Sequence, residues 1–278
     1  MSAAATPAAP TAAATAPALK VTQGRVLRSE FTKFRSLRST RYTLLVAVVL
    51  MIGIGALFSA VTASQYHTFG PSDRALFSPI TTSLNGVIFA VVAFGVLGVL
   101  LMSGEYSTGM IRSSLTAVPR RLPVLWGKLA IFAGAIFSIS LIASFISFFL
   151  GQALLSSHHL NVAISAPGAL RSVIGAALYV TVAGLIGVAL GALFRNTAAG
   201  ISTFAAVFFV IPPLTSLLPA SISNHLVPYL PSNAGEVLWG GTHGVQNALS
   251  PWTGFALLCG YAGVLIAVAA WRLRRSAA

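Results

Sequence analysis

Six long apolar runs, separated by shorter polar stretches, set the pattern of this chain. They lie at Tyr42–Ala63, Leu84–Gly104, Gly127–Leu155, Leu170–Phe194, Ala198–Pro219 and Thr253–Trp271. A bilayer core needs roughly 20 residues of helix per crossing, and a helix satisfies its own backbone in lipid. The pattern therefore predicts an all-α membrane protein with six transmembrane helices, forming a single domain over residues 20–278. Residues 1–19 are low-complexity Ala, Pro and Thr, with no basic stretch leading into an apolar one. They read as a disordered tail and not as a secretion signal.

The flanks of the runs carry further pattern. Between Arg25 and Arg41, residues Val26, Leu27, Phe31, Phe34 and Leu37 fall within an arc of about 140° at helical spacing. Arg28 and Arg35 point away from that arc, and Glu30 falls inside it, where Lys33 or a neighbouring span is its expected partner. This predicts a basic amphipathic helix lying on the membrane surface before the first span, with Glu30, Phe31, Lys33, Phe34 and Arg35 as its working residues. The alternative is a plain basic flank. The stretch 220–252 is too apolar for a solvated loop and too broken by Pro228, Pro231 and Gly235 for a span. Re-entrant or surface-lying outer helices fit it. Pro212-Pro213 are expected to break the fifth helix about 14 residues in and turn it early.

Charge orients the spans. Only 8% of residues are charged against 56% hydrophobic, yet the net charge is +13. Fifteen of the seventeen Lys and Arg fall before the first span, between spans two and three, between four and five, or after the sixth; only Arg74 and Arg171 fall on the other side. Basic residues mark the cytoplasmic side, so both termini are expected inside, in a cytoplasmic (inner or plasma) membrane with which the chain's lipid-facing surface is in contact. The same bias accounts for the positive charge without nucleic acid, for which no basic, aromatic-interleaved face exists.

The chemistry that the chain lacks narrows its function. No G-x-x-x-x-G-K-[ST] occurs, since Gly127-Lys128 is followed by Leu129, so ATP hydrolysis by this chain is not expected. The four acids, Glu30, Asp73, Glu105 and Glu236, are too scattered for general acid–base work; no enzyme activity and no cofactor are expected. The single cysteine, Cys259, excludes an intrachain disulfide. His67, His158, His159, His225 and His243 all fall in expected outer loops, and no metal site is assigned to them. Ser140, Ser144 and Ser147 step along one face of the third span, as Gly184, Gly187 and Gly191 do on the fourth. Close helix packing and a serine-lined substrate path are the two readings. No ionisable side chain sits at mid-depth, which argues against an ion-coupled carrier.

One polar island stands out. Between the second and third runs, 104–128 reads GEYSTGMIRSSLTAVPRRLPVLWGK and concentrates Glu105, Arg112, Arg120, Arg121 and Lys128. Within it Ile111, Leu115 and Val118 make a short apolar face that Pro119 ends. Such a turn or two of helix suits the groove of a partner, or else it is a surface helix in a positive-inside loop. Spacing alone leaves both open.

The order of these motifs resembles the permease subunit of an ABC transporter of the ABC-2 exporter type. The likeness covers about residues 20–275. SEFTKFRSLRSTRYTLL (29–45) resembles the family's amphipathic helix and first span. GEYSTGMIRSSLTAVPRR (104–121) resembles its segment after the second span, with Glu105, Gly109 and Arg112 on a Glu-x-x-x-Gly-x-x-Arg pattern; Met110 stands where relatives often have Thr. YLPSNAG (229–235) resembles the short motif before the last span. The resemblance implies a second permease chain, in a homo- or heterodimer, and separate cytoplasmic ABC ATPase subunits. It also implies a coupling helix formed by the loop after span two. Glu105, Gly109, Ile111, Arg112, Leu115, Val118, Arg120 and Arg121 are then its partner-docking residues. The expected function is export of a hydrophobic or amphipathic substrate. The alternative is a non-transporting membrane scaffold or sensor that binds a cytoplasmic partner.

Overall fold

The computed structural model describes residues 24, 27–29, 31, 32, 38–107, 121–241 and 247–275; these are mostly helical, with no strand among them. Six helical segments among the described residues are long and apolar enough to cross a membrane: Thr40–Thr68, Pro79–Tyr106, Leu125–Ser156, Ala169–Phe194, Thr197–Leu217 and Pro251–Arg275. The protein is thus an all-α, multi-pass membrane protein. The helices extend past the apolar runs at both ends, as in Arg38–Gln65 for the first and Arg121–Ser156 for the third. Polar residues continue a helix readily once it has left the hydrocarbon.

The fourth span is the axis of the bundle. In its most apolar stretch 83% of residues are buried, against 17–22% for the first, fifth and sixth spans. Its glycines explain why it can sit there. A Cβ on Gly187 would collide with the Gly95 carbonyl, and one on Gly191 would lie 2.6 Å from the Val99 carbonyl. The backbones of the second and fourth spans therefore touch without intervening side chains, the geometry that small residues permit between membrane helices. Phe94, Phe132 and Ile186 fill the space around this contact and are almost fully buried.

The second span is interrupted near its start, where helix Pro79–Leu84 gives way to Val87–Ser107 at Asn85-Gly86. Side chains from the third span cover this break. The Ser147 hydroxyl donates to the Ser83 carbonyl at 2.7 Å. Gln152 donates through Nε2 to the Pro79 carbonyl at 2.9 Å and accepts from the Val162 amide at 2.8 Å. An irregular backbone in a membrane bundle needs partners of this kind.

In the fifth span Pro212-Pro213 interrupt the regular α-helix without ending the helical segment there. The helix Thr197–Ala205 widens into a π segment, Ala206–Val210, continues as Ile211–Leu214, and closes with a 3-10 turn at Thr215–Leu217. A proline lacks the N–H for the i−4 carbonyl and collides with it. Widening the preceding turn moves those carbonyls aside, and a π-bulge is a common form of that adjustment. The chain then forms two short helices, Ala220–Leu226 and Pro231–Glu236, neither long enough to cross. The second packs tightly on its neighbours: a Cβ on Gly254 of the sixth span would collide with the Ala234 carbonyl, and one on Gly235 with the Tyr179 ring of the fourth. Trp239, just beyond, is 1% exposed.

Candidate functional site

The helix of the second span runs to Ser107 and that of the third begins at Arg121, so Glu105 and Lys128 lie inside the helices that flank the polar segment. Gly109, Ile111, Arg112, Leu115, Val118 and Arg120 lie outside the described residues; Arg121 is the first residue of the helix that carries the third span. Both bases of the loop are described. Lys128 Nζ donates to Glu105 Oε1 at 2.8 Å. Lys128 is 3% exposed and Glu105 9%. Glu105 lies in the last turn of its helix, where the macrodipole disfavours an anion. Its own helix therefore gives no reason for the charge; the cation across the helix contact does. A buried ion pair fixes geometry more than it adds net stability. Here it fixes the end of the second span to the start of the third.

The same end of the bundle carries three more ties. The Arg195 guanidinium stacks over the Tyr106 ring, 5.1 Å from its centroid. Arg195 is also the C-cap of the fourth span, in the left-handed region at φ 54°. This lets the chain turn at once into the fifth span, whose first amides are capped by Asn196 through the Ala199 N–H at 3.0 Å. Ser103 and Thr197 share a hydrogen bond of 2.8 Å between the second and fifth spans. Arg272 of the sixth span donates to the Leu193 carbonyl at the end of the fourth, a cation at a helix C-terminus, where the dipole favours it. Tyr106, Thr197, Arg195 and Arg272 were not singled out from sequence. The two arginines counted only towards sidedness, although a basic residue just past a helix end is a signal for such a cap.

The other sequence candidates lie apart from this cluster. Ser140, Ser144 and Ser147 are fully buried; Ser140 and Ser144 donate to carbonyls one turn back, Ile136 and Ser140, and Ser147 to Ser83. At the N-terminal segment Phe31 is helical and half exposed, and the Thr32 hydroxyl donates to the Arg28 carbonyl at 2.9 Å. Glu30, Lys33, Phe34 and Arg35 lie outside the described residues. The His67 and His158 rings meet edge-on at 5.7 Å, but no group of three or more His, Cys, Asp or Glu among the described residues is placed to hold a metal ion.

A family model for the ABC-2 family transporter protein matches residues 26–214, about two thirds of the chain. The chain belongs to the ABC-2 transporter family. No curated protein matches it. The match runs from the N-terminal amphipathic segment to the fifth span. It includes Glu105, Lys128 and the whole loop between them, and it leaves the sixth span and the two short helices before it outside. In this ABC-2 family member the loop's two bases are therefore held together inside the region that defines the family.

Proposed function

We propose that this chain is the transmembrane permease subunit of an ATP-driven ABC-2 type exporter. It moves a hydrophobic or amphipathic substrate across the cytoplasmic membrane, or out of it, using ATP hydrolysed by a separate subunit. The observation that carries this reading is the buried Glu105–Lys128 pair at the base of the most charged loop of the chain. A force applied to residues 108–120 reaches the second and third spans together, because the pair makes their ends one unit. From the second span it passes to the fourth through the glycine contact, and to the fifth through Ser103 and Thr197. The chain has the connections of a lever and lacks a nucleotide motif, so the energy enters from a partner.

In this reading the loop end of the bundle faces the cytoplasm, as do both termini, because fifteen of the seventeen Lys and Arg belong to that face. Ile111, Leu115 and Val118 form the apolar face of a coupling helix, and Arg112, Arg120 and Arg121 draw it to an acidic rim on the ATPase. A second permease chain completes the path, against the mostly uncovered first, fifth or sixth span.

A photo-crosslinking residue placed at Leu115, and separately at Ile222 of the short helix Ala220–Leu226, tests partner and sidedness in intact cells. The expected result is capture of an ATP-binding, Walker-motif subunit from position 115 and none from 222. Capture at 222 and not at 115 would overturn the assignment. A partner without ATPase activity at 115 would instead favour a non-transporting scaffold or sensor.

A further inference from the structure

Two histidines from different loops meet at the end of the bundle opposite the Glu105–Lys128 pair. His67 stands in the 3-10 turn Tyr66–Thr68 that follows the first span's helix, and His158 in the turn that follows the third. Their ring centres are 5.7 Å apart and their planes are inclined at 66°. An imidazole carries its nitrogens on its edge, so an inclined pair can bring them onto one ion where a face-to-face stack cannot. With metal–nitrogen bonds of about 2.0–2.1 Å, two imidazoles on one ion have ring centres roughly 4.5–5.5 Å apart. Both residues are exposed, so a small side-chain rotation closes the difference. Neither ring makes a hydrogen bond among the described residues, whereas the His225 Nδ1 is engaged with the Ser221 carbonyl at 2.7 Å. The backbones that carry the pair are held. Arg74 donates to the His67 carbonyl at 3.2 Å and stacks over Tyr66, whose ring packs on Phe69 and Phe77. The His158 and Leu160 amides both donate to the carbonyl of Leu155, which is fully buried. Two unengaged imidazoles are thus presented from fixed turns, and such preorganisation lowers the cost of binding.

We propose that His67 and His158 form a bidentate site for a divalent transition-metal ion, with water in the remaining positions. The ion clasps the turn after the first span to the turn after the third. Neutral imidazole suits copper, nickel and zinc, whereas magnesium and calcium prefer oxygen ligands. Two protein ligands are fewer than a structural zinc site uses, so the bound ion is solvent-accessible and exchangeable. Copper(II) should bind more tightly than zinc, following the usual order for divalent ions at nitrogen ligands. The proposal needs neither an ATPase nor a substrate, so it stands or fails separately from the transport reading.

The test is calorimetric titration of the purified full-length chain, without a polyhistidine tag and in a neutral detergent, with copper(II), zinc(II) and magnesium chlorides. Wild type should bind copper and zinc saturably, copper at least tenfold more tightly than zinc, and magnesium not at all. His67→Ala and His158→Ala should each weaken copper binding at least tenfold. The double variant should lose little more than either single, because one substitution already breaks the chelate. His67→Phe, which keeps the ring contact and removes the nitrogens, should lose as much as His67→Ala; it carries the comparison should the alanine variants fail to fold. His225→Ala should leave binding unchanged. Electron paramagnetic resonance of the copper-loaded chain should show two imidazole nitrogens in wild type and one in either single variant, and copper should raise Tm in wild type but not in the double variant. No saturable copper or zinc binding by wild type, or undiminished binding by folded His67→Phe or His158→Ala chains, overturns the proposal.

Discussion

Replacing Lys128 with methionine leaves the Glu105 carboxylate in a site where that residue is 9% exposed. At the observed 2.8 Å the two charges attract by about 6 kcal/mol for an effective dielectric constant near 20. Desolvation of the two ions, at several kcal/mol each, offsets most or all of that gain. The pair as a whole is then close to neutral for stability, while either charge left alone is not. Lys128→Met and Glu105→Gln should each lower the unfolding free energy by about 3–5 kcal/mol. The double variant Glu105→Leu/Lys128→Met should recover most of this, because it buries no charge. The reversed pair, Glu105→Lys/Lys128→Glu, should recover part. The assay is equilibrium unfolding in mixed micelles, followed by the fluorescence of the four tryptophans. Single substitutions within about 0.5 kcal/mol of wild type, or a double whose loss is the sum of the singles, would refute the claim that the pair is buried and mutually dependent.

Other outcomes follow from the same packing. Gly187→Val should destabilise the bundle by about 1–3 kcal/mol or more, because its Cβ meets a backbone carbonyl that cannot move aside; Gly104→Ala, where a Cβ meets nothing within 4 Å, should be tolerated in the same unfolding assay. Gln152→Leu strands the Pro79 carbonyl and the Val162 amide and should cost about 1–3 kcal/mol, read as a lowered Tm in detergent. Pro212→Ala/Pro213→Ala removes the reason for the π turn. The fifth helix should then close to regular α geometry, seen as altered spacing between spin labels on either side of it.

Much of the architecture was legible because a membrane imposes it. An apolar run of bilayer length leaves few options, and the sixfold pattern needed no tertiary knowledge. The family could be read from the order of motifs such as Glu105, Gly109 and Arg112 after the second span. The Glu105–Lys128 pair was not legible as a pair. Both residues stood out as charges near a loop, but 23 positions separate them and only the contact of two helices brings them together. Arg195 and Arg272 were hidden for a similar reason, since their roles depend on where the fourth helix ends. The prolines of the fifth span signalled an interruption of regular α geometry but not its form, because the missing hydrogen bond is met by a widened turn at Ala206–Val210, an option that sequence does not signal. Gln152 was invisible because the groups it serves, the Pro79 carbonyl and the Val162 amide, lie outside its own helix.

The central claim is that energy enters this permease through residues 108–120. Its most direct test is reconstitution of the chain with the ABC ATPase subunit proposed as its partner in lipid bilayers, with ATP hydrolysis measured alongside ATP-dependent substrate movement. Wild type should show both. Replacing Ile111, Arg112 and Leu115 together should abolish ATP-dependent movement and uncouple it from hydrolysis, with the unfolding curve of the permease unchanged. Undiminished ATP-driven movement in that variant would contradict the account.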